Sequence, residues 1–219
     1  MSKNKTHIGF TVVELLVGIV IFTIGILSAY LLVYSALNSS VKSRNEIIAS
    51  NLARESIELI KNNRDSNWSK MLKWNKLDST IIKHNPTIGE YLTGGYYKIS
   101  NEYQEDTSSN PSINIQKLSS TFEEANENTT YILNPSSEDK TELCLDDKNR
   151  YTYDCSGTNK STHFYSYIKI EKLKTKNTTI TPNTEIIVDN AFKVTAQIIN
   201  SERTITKYSI STIITDWKK

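Results

Sequence analysis

The sequence predicts an α+β fold: one long N-terminal helix, apolar in its first half and amphipathic in its second, packed on a C-terminal antiparallel sheet. Three observations predict it. Leu15 to Leu37 carries no charged residue and no proline, and about 20 apolar residues suffice for a helix to cross a bilayer. From Asn38 the sequence turns polar yet keeps apolar residues at helical spacing. The last third alternates apolar and polar residues with a period of two, the pattern of half-buried strands.

The head of the apolar run holds an unusual arrangement. A short polar leader with Lys3, Lys5 and His7 precedes Gly9-Phe10-Thr11-Val12-Val13-Glu14. Glu14 therefore stands five residues past a glycine, at the start of a membrane-length segment. A carboxylate within such a segment costs roughly 2.5–3.5 kcal/mol on insertion scales, so it marks a function and needs a partner. A secretory signal would have a shorter apolar core ending in a small-residue cleavage site.

Gly9 to Leu16, read GFTVVELL, resembles the class III signal of type IV pilins and pseudopilins. The resemblance implies that a prepilin peptidase cuts between Gly9 and Phe10, that Phe10 is then N-methylated, and that Glu14 serves filament assembly. It also implies topology: leader in the cytoplasm, the following domain outside, and a single pass of the cytoplasmic membrane. The lysine and arginine bias around the span is weak, because Glu46 offsets one of Lys42 and Arg44. The implied division is a leader at 1–9, a transmembrane and filament-core helix at 10–37, an amphipathic extension at 38–63 and a β-rich globular domain at 64–219.

The helix is expected to end near Asn62 or Asn63, about 53 residues or roughly 80 Å at 1.5 Å per residue. Ile48, Leu52 and Leu59 form one row on its second half, and Ala49, Ala53, Ile57 and Ile60 a neighbouring one. Together they make a stripe of the width seen where a surface helix covers a core. Asn63-Arg64-Asp65-Ser66-Asn67-Trp68 resembles a stretch recurrent in minor pilin-like subunits. Its plainer reading is a solvated helix end in which Arg64 and Asp65 pair.

Ser69 to Gly95 reads as irregular, with turns at Asn85-Pro86 and Gly94-Gly95. Strands are expected at Tyr96–Ser100, Ile113–Leu118 and Thr130–Leu133, with a loop over Asn101–Pro111. Glu142 to Asp154 reads as a hairpin or loop with Asp146-Asp147-Lys148-Asn149 at its tip. Three clearer strands follow. In His163–Lys172, Phe164, Ile168 and Ile170 face one way and Tyr165, Tyr167 and Lys169 the other. Phe192–Asn200 and Thr204–Thr215 are joined by a turn at Asn200–Arg203, with Trp217 as an anchor. The ending Ser211 to Trp217 resembles the last strand of some minor pilin-like proteins.

Composition narrows the function classes. Of 26 basic side chains two, Lys3 and Lys5, lie in the leader, which leaves 24 against 24 acidic ones. A near-neutral mature chain argues against a strongly basic nucleic-acid groove, though a local patch stays open. Cys144 and Cys155 fall in the part placed outside the cytoplasm, where oxidising conditions permit a disulfide; two free thiols are the alternative. Asp146, Asp147 and Asn149 lack the acidic ladder and glycine of a calcium loop, so no metal and no cofactor is expected. Three scattered histidines, no phosphate loop and no nucleophile elbow leave an enzyme without support.

Two departures from the major-pilin pattern favour a minor subunit. Leu31 occupies the place of a kinking proline, so any bend must come from Gly18 or Gly25, and the mature chain is long. Glu14 distinguishes the chain from a tip pseudopilin type that lacks this residue. The expected role is thus a structural minor pilin or pseudopilin of a type IV pilus, competence pilus or type II secretion-like filament. Its expected partners are a prepilin peptidase, other pilin subunits, an assembly platform with its motor ATPase, and membrane lipid before assembly. The alternative is a membrane-tethered or tip adhesin or DNA-binding subunit acting through 101–130 and 144–155.

Overall fold

The computed structural model describes residues 11–77, 82–84, 91–102, 112–125, 128–136, 139–177 and 184–216. The chain divides into two compact units, Met1–Asn45 and Glu46–Lys219. Helix α1, Val12–Ser69, belongs to both.

The first unit is helical from Val12 onward, and its large apolar side chains from Val12 to Leu37 are all more than half exposed. It is the one described helix long and apolar enough to cross a membrane. The helix runs without interruption through Gly18 and Gly25. Thr23 donates to Val20 O at 2.8 Å and Ser28 to Ile24 O at 2.8 Å. These hydroxyls are satisfied by their own helix, which suits a segment that water does not reach.

The second unit is an eight-stranded sheet with the later part of α1 on one face. The strands are β1 (Ile82–His84), β2 (Gly95–Glu102), β3 (Ser112–Lys117), β4 (Glu142–Leu145), β5 (Tyr151–Thr152), β6 (Lys160–Asn177), β7 (Thr184–Asn200) and β8 (Thr206–Thr215). They run in the order β1-β3-β2-β6-β4-β5, while β7 lies between β6 and β8. β2 and β4 share one edge of β6: Gly95–Tyr97 pair with Ile168–Ile170, and Glu142–Leu145 with Lys160–Tyr165. β7 occupies the other edge from Phe164 to Asn177. Among the described residues all strand pairings are antiparallel except β1 with β3.

The apolar stripe of α1 sits where the spacing puts it. Ala49, Leu52, Ala53, Ile57, Leu59 and Ile60 are buried, and Ile48 is partly so. They share a core with Ile99, Ile115, Phe164, Ile168, Ile170, Val194, Ala196, Ile198 and Ile214. The opposite face of the sheet carries a smaller core. Tyr96, Phe122, Ile132, Tyr167 and Ile199 meet there under two short helices, α2 (Ser120–Glu124) and α3 (Thr129–Leu133). Tyr167, expected on the face away from the main core, is thus fully buried, with its ring 5.3 Å from Phe122.

Four expectations change. α1 continues to Ser69 rather than Asn62 or Asn63. Met71 N–H bonds Trp68 O and Leu72 N–H bonds Asn67 O, the paired bonds of a Schellman cap, and Met71 holds the left-handed position at φ 55°. Thr130–Leu133 is helix, not strand, because Asn128 caps it by accepting from Thr130 N–H at 2.9 Å. α2 and β1 lie in stretches read as irregular or left unassigned. The flanks of the strands also grow, since β6 and β7 extend to 177 and from 184. Asn85-Pro86, residues 103–111 of the expected loop, and Trp217 lie outside the described residues.

Gly95 opens β2 at φ 142°. A Cβ there would lie 2.6 Å from Glu123 Oε1 and 2.8 Å from Lys117 Cε. Those atoms are the tips of two flexible side chains that pair at 3.5 Å and could shift, so it is the positive φ that calls for glycine here.

Candidate functional site

The head of α1 is built by Thr11. Its Oγ1 accepts from Glu14 N–H at 3.3 Å, and its carbonyl accepts from Leu15 N–H at 3.2 Å. Thr11-Val12-Val13-Glu14 is thus an N-cap with a glutamate three residues on, the sequence form of a capping box. Glu14 lies in the first turn, where the helix dipole favours a negative charge. Gly9 and Phe10 fall outside the described residues. Beyond Glu14 the segment offers an apolar surface with few polar breaks, among them Tyr30 and Tyr34 stacked at 6.5 Å. Such a surface needs lipid or other apolar helices around it.

The far end of α1 is fastened by polar side chains. Asn67 Nδ2 donates to Trp74 O at 3.1 Å and to Lys76 O at 2.6 Å, and Asn63 Nδ2 donates to Lys76 O at 3.3 Å. Trp68 Nε1 donates to Asp216 Oδ1 at 3.2 Å. Arg64 does pair with Asp65, at 2.9 Å, but its guanidinium also lies 4.5 Å over the Trp68 ring. The stretch Asn63–Trp68 is therefore more than a solvated end: it binds the chain that follows the helix and the residue after β8.

Cys144, buried on β4, is joined by a disulfide to Cys155 beyond β5. The turn between those strands is closed by Asp146. Its Oδ1 accepts from Lys148 N–H at 2.9 Å and Arg150 N–H at 2.7 Å, and its Oδ2 accepts from Arg150 Nε at 2.7 Å. The Arg150 backbone bond, with the Arg150 guanidinium and Lys148 N–H, holds the Asp146 carboxyl below its ordinary range despite a desolvation penalty. A carboxylate so occupied is a turn device, at the tip of the hairpin expected over Glu142 to Asp154.

One acidic residue escaped the sequence reading. Asp139 is 1 % exposed. It accepts from Ser119 N–H at 2.8 Å, from the Ser119 hydroxyl, from Tyr131 at 3.0 Å and from Ser136 at 3.2 Å. Burial alone would push its carboxyl up, but these bonds outweigh burial and hold it below the ordinary range. Asp139 ties α2 to α3 and so roofs the smaller core. Nearby, burial lowers the Lys98 ammonium, an effect that the Asp139 charge partly opposes. Tyr153 donates to Ser166 O at 3.1 Å, and burial pushes its phenol up to about 12.

Against this geometry stand the comparisons with known proteins. The family model of the prokaryotic N-terminal methylation motif matches residues 4–30. The N-terminus carries the type IV pilin signature. The matched residues include Gly9, Phe10, Thr11, Glu14 and the exposed apolar helix as far as Tyr30, and the pilin signature indicates a structural subunit. It implies processing by a prepilin peptidase, assembly with other pilin subunits and a membrane-anchored state. Whole-chain comparison with curated proteins and with solved structures gives no match.

Proposed function

We propose that the chain is a minor pilin or pseudopilin, a structural subunit of a type IV pilus, competence pilus or type II secretion-like filament. One observation carries the reading: the methylation motif at 4–30 runs directly into an uninterrupted apolar helix whose later part packs on an α+β domain. On this reading residues 1–9 are the leader, 10–37 the membrane and filament-core segment, 38–63 the amphipathic extension and 64–219 the extracytoplasmic domain.

A prepilin peptidase cuts between Gly9 and Phe10 and methylates Phe10. The new amine then stands a few residues from Glu14. Within a bundle of apolar helices the Glu14 carboxylate takes the Phe10 amine of a neighbouring subunit as its counter-charge. A buried charge pair gains little net stability but penalises loss of a partner heavily, so it sets the axial offset between subunits. Before assembly, the capped first turn gives the carboxylate a favourable local field. An assembly platform and its motor ATPase move the subunit from bilayer to filament.

The test is the N-terminal mass of the protein expressed with and without a prepilin peptidase. The expected product begins at methylated Phe10 only when the peptidase is present. An intact leader beside an active peptidase would overturn the reading in favour of a permanent membrane anchor.

A further inference from the structure

The second unit has a cleft that the filament role does not use. Its volume is about 250 Å³, and its walls are Leu133 at the end of α3, Asn134 and Pro135 beyond it, Lys140 and Thr141 just before β4, Glu142 at the start of β4, and Tyr165 on β6. Tyr165 and Glu142 are directly opposed in the β4–β6 ladder, so they share a face. The cleft lies at the margin of the smaller core, against which Leu133 and Tyr165 pack.

Its polar groups have unused bonding capacity. Glu142 accepts, among the described residues, from the Ser161 hydroxyl on Oε1, which leaves the other carboxylate oxygen for an incoming donor. Among the described residues no hydrogen bond or ion pair occupies the Lys140 ammonium or the Asn134 side-chain amide. Burial and the nearby Glu142 charge push the Tyr165 phenol up, against a side-chain hydrogen bond with Ser201; a hydroxyl so engaged can still form a further bond. Donors and acceptors thus surround an apolar floor of Leu133 and Pro135 and the flank of an aromatic ring.

We propose that this cleft binds a single neutral, polyhydroxylated ring: one monosaccharide unit, free or at the end of a glycan. Among the described residues the lining carries one positive and one negative side chain, so an anion would face Glu142 and a cation would face Lys140. A neutral polyol leaves neither charge opposed. Each of its hydroxyls both donates and accepts, which matches the mixture of carboxylate, ammonium, amide and phenol. Its C–H face covers Leu133, Pro135 and the Tyr165 ring, an apolar lining with few oriented polar groups as in small-molecule sites generally. The volume holds one ring and excludes an extended chain, so affinity is expected in the millimolar range. All of its described lining residues belong to the second unit.

The experiment is saturation-transfer NMR on the full chain in zwitterionic phosphocholine micelles, which present no sugar headgroup. The probes are glucose, galactose, mannose and N-acetylglucosamine at 5–20 mM (roughly the weak-binding range), with glucose 6-phosphate and glutamate as charged controls. At least one neutral sugar is expected to take up saturation, and the charged controls several-fold less. The Asn134→Ala/Lys140→Met pair changes only exposed side chains, and Tyr165→Phe keeps the packed ring. Either change should reduce the transfer at least threefold while the near-ultraviolet dichroism stays native. An oligosaccharide ending in the preferred sugar separates a glycan terminus from a free monosaccharide by competing at equal or lower concentration. No transfer to any neutral sugar, equal transfer in wild type and variants, or preference for a charged control would overturn the proposal.

Discussion

The indole N–H of Trp68 donates to the carboxylate of Asp216 at 3.2 Å. The bond joins the last turn of α1 to the residue that follows β8, across 148 positions of sequence. Replacing Trp68 with Phe keeps an aromatic ring for Arg64 and removes the donor. The expected loss is about 1 kcal/mol, the usual net worth of such a bond. Asp216→Ala should cost a similar amount, and the double variant less than the sum, as urea midpoints in a double-mutant cycle will show. Fully additive losses would mean that the bond contributes nothing.

Met71 points to a gain. It is 96 % exposed and sits at φ 55° in the cap of α1. A left-handed conformation costs an ordinary residue roughly 1–2 kcal/mol, and glycine avoids this at some cost in unfolded-state entropy. Met71→Gly should therefore stabilise the protein by about 0.5–1 kcal/mol, visible as a higher urea midpoint. Met71→Val, with a branched side chain at the same φ, should lower it.

Asp139 gives the chain a pH dependence with a defined sign. Its folded carboxyl is held below the ordinary value, which is about 3.9 for aspartate. The unfolded state therefore binds more protons as pH falls. The stabilisation is complete above the unfolded value and drains away as pH drops through the folded one. Asp139→Asn should flatten the fall in stability below about pH 4 and cost about 2–3 kcal/mol at neutral pH. Unfolding curves between pH 2 and 7 (roughly the range over which carboxylates titrate) test this. Unchanged acid sensitivity in the variant would assign it to other carboxylates.

Reduction of the Cys144–Cys155 disulfide, which spans 11 positions, should lower stability by about 2–3 kcal/mol on the chain-entropy account. The Cys144→Ser/Cys155→Ser variant, compared with wild type in reductant and in oxidant, isolates the cross-link. Reduced wild type and variant should behave alike, and oxidised wild type should stand apart.

Glu14→Ala addresses assembly. The variant should insert in the membrane and lose its leader normally, since the alanine removes an insertion penalty, yet fail to enter filaments. Sheared filament fractions probed for the subunit give the readout. Normal incorporation would remove Glu14 from the assembly role.

The helix and the strongest strands were legible because their signals are local. Ala49, Leu52, Ala53, Ile57 and Ile60 announce one buried face, and Phe164, Ile168 and Ile170 another. The short elements were not legible, because distant residues decide them. Thr130–Leu133 is β-branched and aromatic enough to read as a strand, yet the Asn128 cap and the bond from Tyr131 to Asp139 make it a helix. β1 exists through parallel pairing with β3, some thirty positions on, and no local pattern marks such a partner. The Glu14 cap could be read from Thr-x-x-Glu spacing alone. The cleft beside Tyr165 could not, since it draws on three segments that meet only in the fold.

The two cores, on opposite faces of one sheet, assign a timetable to amide exchange. Where β6 pairs with β7, from Phe164 to Ile170, it also has β2 or β4 along much of its other edge, and packed side chains cover both its faces. Those amides can meet deuterium only when the whole second unit opens, so their protection should report its global stability. α2 and α3 are held by Asp139 and by a small core, and their amides should exchange first, in a separate opening step that protonation of Asp139 favours.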